Sequence, residues 1–398
     1  MEAVQYLIDS GSSAFLALGI GMVTLMIIGV IVLNSGLCRK GEAMNVWANG
    51  LIIAAVAILM WGIYGYNFAF NGTGKFFGGF EKLFLADTTE SVVGGIPEIF
   101  IVGFQLTFAV ITPVIGFGGI LGRIKLLPLA FITLLWLTFS YCPLAYMSWA
   151  DSGTIKGFLL GVGVQDLAGG NVVHIPSGIL CAVGLYFLGN RQKHRDIYAW
   201  NNSQALIGVG LLLVGWPFFN AVSVLDTSGK AGMALVVSLI APASGILTWL
   251  VVNAISRQNT SVIGVATAAV GALAGITPAA GVAGVPLAIG IGAACSVGAW
   301  GFMHLLNDVL DLDDTVDVIP AHLVGGIIGG LMTAFAFENW ITQLGKQMVG
   351  VSVSILWCSL VTIGCFLLAK LLFRDIRICP VLEEEGVDKG LHGESAQS

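Results

Sequence analysis

The chain has 398 residues, of which 57% are hydrophobic and 10% are charged, and its mean hydropathy is +0.92. A soluble domain carries about 25% charged residues on average, so this composition excludes a soluble enzyme. A net charge of −6, without a basic patch or basic tail, also excludes a nucleic-acid-binding protein. The sequence therefore predicts a polytopic membrane protein in which the few charged residues are informative.

Apolar stretches follow one another along almost the whole chain. A transmembrane helix needs about 20 predominantly apolar residues, and the continuous Leu-, Ile-, Ala- and Gly-rich pattern favours helices. The predicted fold is all-α, with eleven transmembrane helices near 13–37, 44–70, 95–121, 126–149, 167–189, 204–224, 232–255, 260–280, 283–305, 318–338 and 348–373.

The positive charges predict the orientation of these helices. Of the 17 Lys and Arg residues, eleven fall after predicted helices 1, 3, 5 and 7 or beside the end of helix 11, and five fall on the other side. Because cytoplasmic connections are enriched in Lys and Arg, the N-terminus is expected outside and the C-terminus in the cytoplasm. An odd number of helices requires the same arrangement. The eleven are Arg39, Lys40, Arg123, Lys125, Arg191, Lys193, Arg195, Arg257, Lys370, Arg374 and Arg377.

Two histidines lie inside predicted helices 5 and 10. A lone histidine in an apolar helix is more often a satisfied core residue than part of a site. Here, however, His174 follows Asp166 by eight residues, His322 follows Asp317 by five, and each lies near a Gly-Gly pair. Helices that are five apart cross the membrane in opposite directions. The pairing therefore predicts an inverted repeat of helices 1–5 and 6–10, followed by helix 11, with a central site between the repeats.

The acidic residues allow more than one interpretation. An Asp at the start of a helix is commonly an N-cap, and for Asp166 and Asp317 this alternative is about as probable as attraction of a cation. The group Asp308, Asp311, Asp313 and Asp314 is interpreted as a solvated face. Neither the cysteines nor any other residues show metal-ligand spacing, so no metal or cofactor is expected.

Seven strings in the sequence resemble those of the ammonium transporter family (Amt, Mep and Rhesus proteins), and the resemblance covers nearly the whole chain. They occur in the order typical of that family, with the bacterial type of tail. The strings are FQLTFAVIT at 104–112, GRIK at 122–125, CPLAYMSW at 142–149, DLAGGNVVHIPSG at 166–178, GWPFFNAVS at 215–223, DVIPAHLVGGIIGGLMT at 317–333 and VLEEEGVDKGLHGESA at 381–396.

The resemblance implies a homotrimer of eleven-helix subunits in a cell inner membrane, each subunit having a narrow pore for ammonium or ammonia. Phe108 and Phe219 match the phenylalanine gate, and His174 and His322 match the twin histidines of the pore, with Asp317 in a supporting position. The residues that match the external recruitment site for ammonium are Phe104, Phe108, Trp149, Ser223 and Asp166.

The family resemblance also implies a role for the C-terminal segment. By this resemblance, the chain divides into a transmembrane domain, 1–373, and a cytoplasmic regulatory tail, 374–398. The tail is expected to contact neighbouring subunits and a PII-type nitrogen-regulatory protein. The alternative interpretation is a solvated acidic tail. The residues that match the family's tail motif are Glu383, Glu384, Glu385, Gly386, Asp388, His392, Gly393 and Glu394.

The function expected from these features is ammonium transport, in which a cation is recruited at an aromatic site, loses a proton and passes the histidine pair. Aromatic faces bind small cations, and a histidine pair can share and relay a proton. An ammonium sensor with the same site is the main alternative, because Pro217, Phe218 and Val222 depart from the family pattern beside the gate. A Rhesus-like gas channel is disfavoured by the tail. A membrane enzyme is the least supported, since no nucleophile and base are paired.

Overall fold

The computed structural model describes residues 8–192, 194 and 199–396. The prediction of an all-α membrane protein is confirmed, because ten helices in this part of the chain are long and apolar enough to cross a bilayer. Together with one shorter apolar helix they are α1 (Ser10–Leu37), α2 (Ala43–Phe70), α3 (Glu98–Gly118), α4 (Leu126–Trp149), α5 (Gly170–Leu188), α6 (Asn202–Val222), α7 (Gly229–Ile255), α8 (Val262–Ile276), α9 (Val285–Leu310), α10 (Ile319–Ala336) and α11 (Trp340–Phe373).

Helix α8 is shorter than its predicted span of 260–280. Its 15 residues extend about 22 Å at 1.5 Å per residue, less than the roughly 30 Å of a hydrocarbon core. Every residue from 266 to 280 is buried, so this helix and the turn that follows it are enclosed by other helices. Irregular backbone at membrane depth is tolerated where protein surrounds it, which explains how so short a helix fits.

The segment after α11 returns to the ends of the earlier helices. The Ile378 amide donates to the Arg123 carbonyl after α3 (2.8 Å), and the Asp388 amide donates to the Gly41 carbonyl after α1 (2.8 Å). We call this end of the bundle, with residues 38–42, 119–125, 189–192, 311–318 and 374–396, the tail face. The opposite end, with residues 71–97, 150–169, 223–228 and 277–284, is the open face. The open face also carries a hairpin of β1 (Val92–Val93) and β2 (Ile96–Pro97).

Glycines bring α10 into close contact with its neighbours. A side-chain carbon added at Gly329 would collide with the carbonyl oxygen of Gly275 in α8, and one at Gly326 would lie 3.1 Å from Cβ of His174 in α5. Small residues allow helix backbones to approach in this way. The GGIIGG stretch at 325–330 therefore fixes the distance between the two helices that carry the histidines.

The acids before α10 do not all form a solvated face, so that interpretation is wrong for Asp313. Its carboxylate is buried, accepts hydrogen bonds from Arg191 Nε (2.7 Å) and Nη2 (2.6 Å), and lies 3.5 Å from Arg123 Nη1. Although burial alone would raise it, the Arg191 hydrogen bonds and the charge of Arg123 hold the pKa of Asp313 at about 2. The carboxylate stays ionised and joins the 3–4, 5–6 and 9–10 connections at the tail face.

Candidate functional site

Asp166 is cradled at the start of α5 on the open face. Its carboxylate accepts hydrogen bonds from the amides of Gly169 (2.9 Å), Gly170 (2.6 Å) and Asn171 (2.8 Å). Gly169 has φ +109°, a left-handed conformation that side chains disfavour and that lets successive amides converge on one carboxylate. Of the two interpretations considered for this residue, capping of the helix start therefore accounts for its contacts.

Asp166 also positions Trp149 at the end of α4. The Trp149 Nε1–H donates to the Asp166 carbonyl oxygen (2.8 Å), which fixes the indole against a residue seventeen positions later in the chain. The indole borders a cavity of about 590 Å³ on the open face that Ser223 and Asp166 also line. The Ser223 hydroxyl donates to the Phe219 carbonyl of its own helix (2.8 Å), so its oxygen lone pairs remain available to accept a hydrogen bond.

Phe108 of α3 and Phe219 of α6 stack next to two residues that line this cavity, Trp149 and Ser223. Their ring centroids are 4.1 Å apart with an angle of 13° between the planes. Trp149 meets Phe108 edge-on at 5.9 Å, and Phe104 meets it at 5.0 Å. Both stacked rings are buried. The structure thus brings together four aromatic residues: Phe104, Phe108 and Trp149, which were assigned to recruitment, and Phe219, which was assigned with Phe108 to a gate.

His174 and His322 meet beyond the stacked rings. Their Nδ1 atoms are 3.3 Å apart, and both side chains are buried. A hydrogen bond between two Nδ1 atoms requires one ring to carry the hydrogen and the other to present a lone pair. The Nε2 atom of His174 has no hydrogen-bond partner among the described residues. This nitrogen is therefore free to bind a small molecule that enters the pair.

Each histidine lies in a widened, π-helical turn at the start of its helix. The turns are Gly170–His174 in α5 and Ile319–Val324 in α10. Pro320 is the second residue of its turn, a position where the missing amide removes no helical hydrogen bond. Pro176 follows the turn in α5, lacks an amide donor and crowds the carbonyl four residues earlier. A wider turn relieves that crowding. The two irregular turns place the two imidazoles side by side.

Trp216 completes this group and was missed by the sequence analysis. Its ring centroid lies 5.3 Å from that of His174 and 6.1 Å from that of His322, the latter pair being nearly parallel at 9°. Its Nε1–H donates to the Thr277 hydroxyl (2.9 Å). The available signal was spacing, since Trp216 precedes Phe219 by three residues and so shares its helix face.

The histidine pair opens toward the tail face through a second, smaller cavity. It measures about 40 Å³ and is lined by apolar side chains together with Asn34, Trp216, Thr267 and His322. Phe108 contacts Trp149 on the open side, and Phe219 lies 6.2 Å from Trp216 on the inner side. The stacked phenylalanines therefore lie between Trp149, which lines the first cavity, and Trp216, which lines the second.

Asp317 makes different contacts from Asp166, although both lie near the start of a helix that carries a histidine. Its carboxylate accepts a hydrogen bond from the Thr267 hydroxyl of α8 (3.0 Å). The Ile319 amide at the start of α10 is bound instead by Asp314 (2.7 Å), so the N-cap interpretation of Asp317 is wrong and Asp314 performs that role. Asp317 supports the α8–α10 contact one turn and a half before His322.

The tail motif is packed against the tail face, and the interpretation as a solvated acidic tail is wrong for two of its acids. The buried Glu383 accepts hydrogen bonds from Arg377 Nη2 (2.9 Å) and the Gln192 amide (2.7 Å). The buried Asp388 accepts from the amides of Met44 (3.2 Å) and Asn45 (2.9 Å) in the first turn of α2.

The rest of the motif continues this contact. The His392 ring lies 3.1 Å from Asn45 Oδ1, the Glu394 amide donates to the Asp388 carbonyl, and Gly386 and Gly393 adopt positive φ. Glu385 is exposed. Asp388 thus supplies the cap that the α2 N-cap residue, Glu42, does not make.

Comparison with known proteins identifies relatives over the whole chain. Residues 14–397 match the model of the Ammonium Transporter Family. The chain is 31% identical over 406 residues to an ammonium transporter of Aquifex aeolicus, covering 98% of this chain and 94% of that protein. It is 30% identical over 410 residues to a putative ammonium transporter of Methanothermobacter thermautotrophicus, covering 98% of each.

Solved structures share the fold. The crystal structure of Candida albicans Mep2 matches with a TM-score of 0.85 at 30% identity, over 94% of this chain and 87% of that chain. A structure named Sensor Amt Protein matches with a TM-score of 0.90 at 24% identity, over 98% of this chain and 100% of that chain. Because its sequence identity is only 24%, the match to the Sensor Amt Protein shows a shared fold alone.

Proposed function

The chain belongs to the ammonium transporter family, and from that premise we propose that it moves ammonium nitrogen through a pore within each subunit. Members of the family are transporters, and the chain is not an enzyme. The observation that carries the proposal is the unbroken series of Trp149, the stacked Phe108 and Phe219, and the His174–His322 pair between two cavities.

The open-face cavity is the proposed recruitment site. Ammonium is a small cation with N–H donors, and Trp149 with Phe108 offers aromatic faces that attract cations by about 0.5–2 kcal/mol each. The Ser223 oxygen, whose hydrogen is donated to its own helix, can accept a hydrogen bond from the ion. Phe104 packs against Phe108. Asp166 binds Trp149 and the amides at the start of α5, and so fixes the position of the indole.

Beyond the gate, the surroundings favour a neutral species. A bare cation in hydrocarbon costs tens of kcal/mol, and the route past Phe219 is bordered by buried rings. We propose that ammonium releases its proton to water in the open-face cavity before the gate, and that ammonia then passes the stacked rings and the histidines. The unpartnered His174 Nε2 can then hydrogen-bond the ammonia. Potassium, which has no proton to release, is discriminated against by the same surroundings.

The placement in the cell is proposed from the charge bias and the family. We place the tail face in the cytoplasm of a cell inner membrane, with three subunits forming a homotrimer in the lipid. Residues 1–373 form the transmembrane domain, and 374–398 form a regulatory tail that a PII-type protein contacts. The buried Glu383 and Asp388 support this proposal, because they couple the tail to the ends of α1, α2 and α5.

The alternative function is an ammonium sensor that binds the ion at the same site without passing it on. The two functions are separated by measuring methylammonium uptake in proteoliposomes and, on the same preparation, ammonium binding by calorimetry. Transport predicts both saturable uptake and binding. Binding without uptake would overturn the transport proposal and favour the sensor.

A further inference from the structure

A buried carboxylate, paired with a partly exposed lysine, lies in the wall of the open-face cavity, separate from the aromatic site. Glu98, the first residue of α3, is 3% exposed. Its carboxylate accepts a hydrogen bond from the Tyr66 hydroxyl (2.9 Å) and contacts Lys82 Nζ at 2.7 Å. The Lys82 side chain comes from the 71–97 connection and is 27% exposed. The carboxylate is therefore fixed by the bundle, whereas the cation that neutralises it is held on a surface connection.

This carboxylate faces the route to the gate. Glu98 and Gln105 line the same cavity as Trp149 and Ser223. Spacings of seven and then three residues put Glu98, Gln105 and Phe108 on one face of α3. The Gln105 Oε1 atom is buried and has no hydrogen-bond partner among the described residues. An unpaired acceptor thus lies between the carboxylate and the gate ring.

The group that occupies Glu98 is chemically close to the proposed cargo. The lysine side chain ends in an ammonium with three N–H donors, and free ammonium is a similar cation with four. The Glu98 carboxylate accepts one N–H at 2.7 Å. The neighbouring Tyr66 oxygen donates its hydrogen to Glu98 and keeps its lone pairs as acceptors. These two acceptors suit either ion. The lysine can leave because its own stem is flexible and partly exposed.

We infer that Glu98 and Tyr66 form a second cation site in the open-face cavity, occupied by the Lys82 ammonium in this structure and taken by free ammonium or a small alkylammonium when Lys82 moves away. The inference rests on the proposed function for its physiological meaning. Lys82 then acts as a tethered competitor. When the Lys82 side chain moves away, the negative charge of Glu98 is exposed above Gln105 and Phe108. Competition between Lys82 and free ammonium for Glu98 then sets the ammonium concentration at which the cavity fills.

The test uses the full-length protein with Lys82→Met, Glu98→Gln and the double variant. Lys75→Met is the matched control, because Lys75 is an exposed lysine of the same 71–97 connection and does not line the open-face cavity. One readout is the half-saturating concentration of methylammonium uptake in proteoliposomes. The other is the rise in melting temperature of detergent-purified protein on adding ammonium chloride, compared with choline chloride at equal ionic strength.

Opposite shifts are expected from the two single variants. Lys82→Met leaves Glu98 unpaired, so the half-saturating concentration should fall about threefold or more, since an uncompensated charge in a cleft concentrates counter-ions. Glu98→Gln leaves Lys82 unpaired and should raise the half-saturating concentration. The double variant should lose the gain of Lys82→Met, and the control Lys75→Met should match the wild type. If Lys82→Met does not fold, Lys82→Gln tests the same charge removal.

Shifts in the same direction, or none for Lys82→Met, would overturn the inference and leave the pair as a purely structural contact. The second readout separates this failure from failure of the proposed function. A wild type without uptake, combined with ammonium-specific stabilisation that grows in Lys82→Met, would retain the cation site and reject transport. Uptake that is normal in the wild type and unchanged in Lys82→Met would reject the cation site and retain transport.

Discussion

The Nδ1 atoms of His174 and His322 lie 3.3 Å apart although 148 residues separate them in the chain. One ring must donate and the other accept, so the pair holds one hydrogen between them. Trp216 covers both rings, and the glycines of α10 set the separation of the two helices. The buried pair is consequently a rigid polar group enclosed by packed helices.

Removing the Ser223 oxygen should weaken capture of ammonium at low concentration. Ser223→Ala deletes the hydrogen-bond acceptor without adding bulk. We expect the half-saturating ammonium concentration to rise about fivefold to tenfold. A hydrogen bond to a charged group contributes about 1.5–3 kcal/mol, and water replaces part of this contribution in the variant. Ser223→Leu should have a larger effect. Uptake measured against concentration checks this. Ser152→Ala, in an exposed loop on the same face, is the control, and an unchanged apparent affinity in both Ser223 variants would remove Ser223 from the site.

Filling the contact between α10 and α8 should destabilise the bundle. A methyl group at Gly329 would collide with the Gly275 carbonyl, so Gly329→Ala should lower the free energy of unfolding by about 1–3 kcal/mol or push the two helices apart. Thermal unfolding in detergent measures it. Gly210→Ala in α6 has no atom within 4 Å of the added carbon and should be neutral. Equal melting temperatures for the two variants would contradict the close packing.

Loss of the Asp388 carboxylate should release the tail from α2. Asp388→Ala leaves the Met44 and Asn45 amides without their cap, which should cost about 0.5–2 kcal/mol. The tail should then be cleaved faster by a protease added from the tail face. Glu385→Gln, an exposed change in the same segment, is the matched control. A tail as protected in Asp388→Ala as in the control would mean that this cap does not hold it.

The sequence predicts the helices well because long apolar runs are an unambiguous signal. All eleven predicted spans correspond to helices. The main differences are α11, which begins at Trp340, eight residues before its predicted start, and α8, which is short because it is enclosed by protein. Pattern and resemblance also select residues that the fold does bring together, including Phe108 with Phe219 and His174 with His322.

The remaining features depend on contacts that spacing does not reveal. Trp216 resembles any other aromatic residue of a membrane helix until its ring is seen against the imidazoles. Asp388 caps α2 by binding the amide of Met44, 344 residues earlier in the chain. Asp314 rather than Asp317 binds the start of α10, and Asp313 is buried by two arginines from other connections. In each case a long-range partner decides the role of a residue.

The central claim is that ammonium nitrogen passes the His174–His322 pair, and uptake of methylammonium with the accompanying current in proteoliposomes tests it most directly. The comparison is between wild type, His174→Ala and the control His304→Ala, whose ring lies outside the route and bonds Asp308. We expect saturable uptake in wild type and control. In His174→Ala we expect uptake to fall at least about tenfold, the effect of about 1.4 kcal/mol on a barrier, or potassium to be carried as well. Uptake and selectivity that are the same in all three proteins would contradict the account.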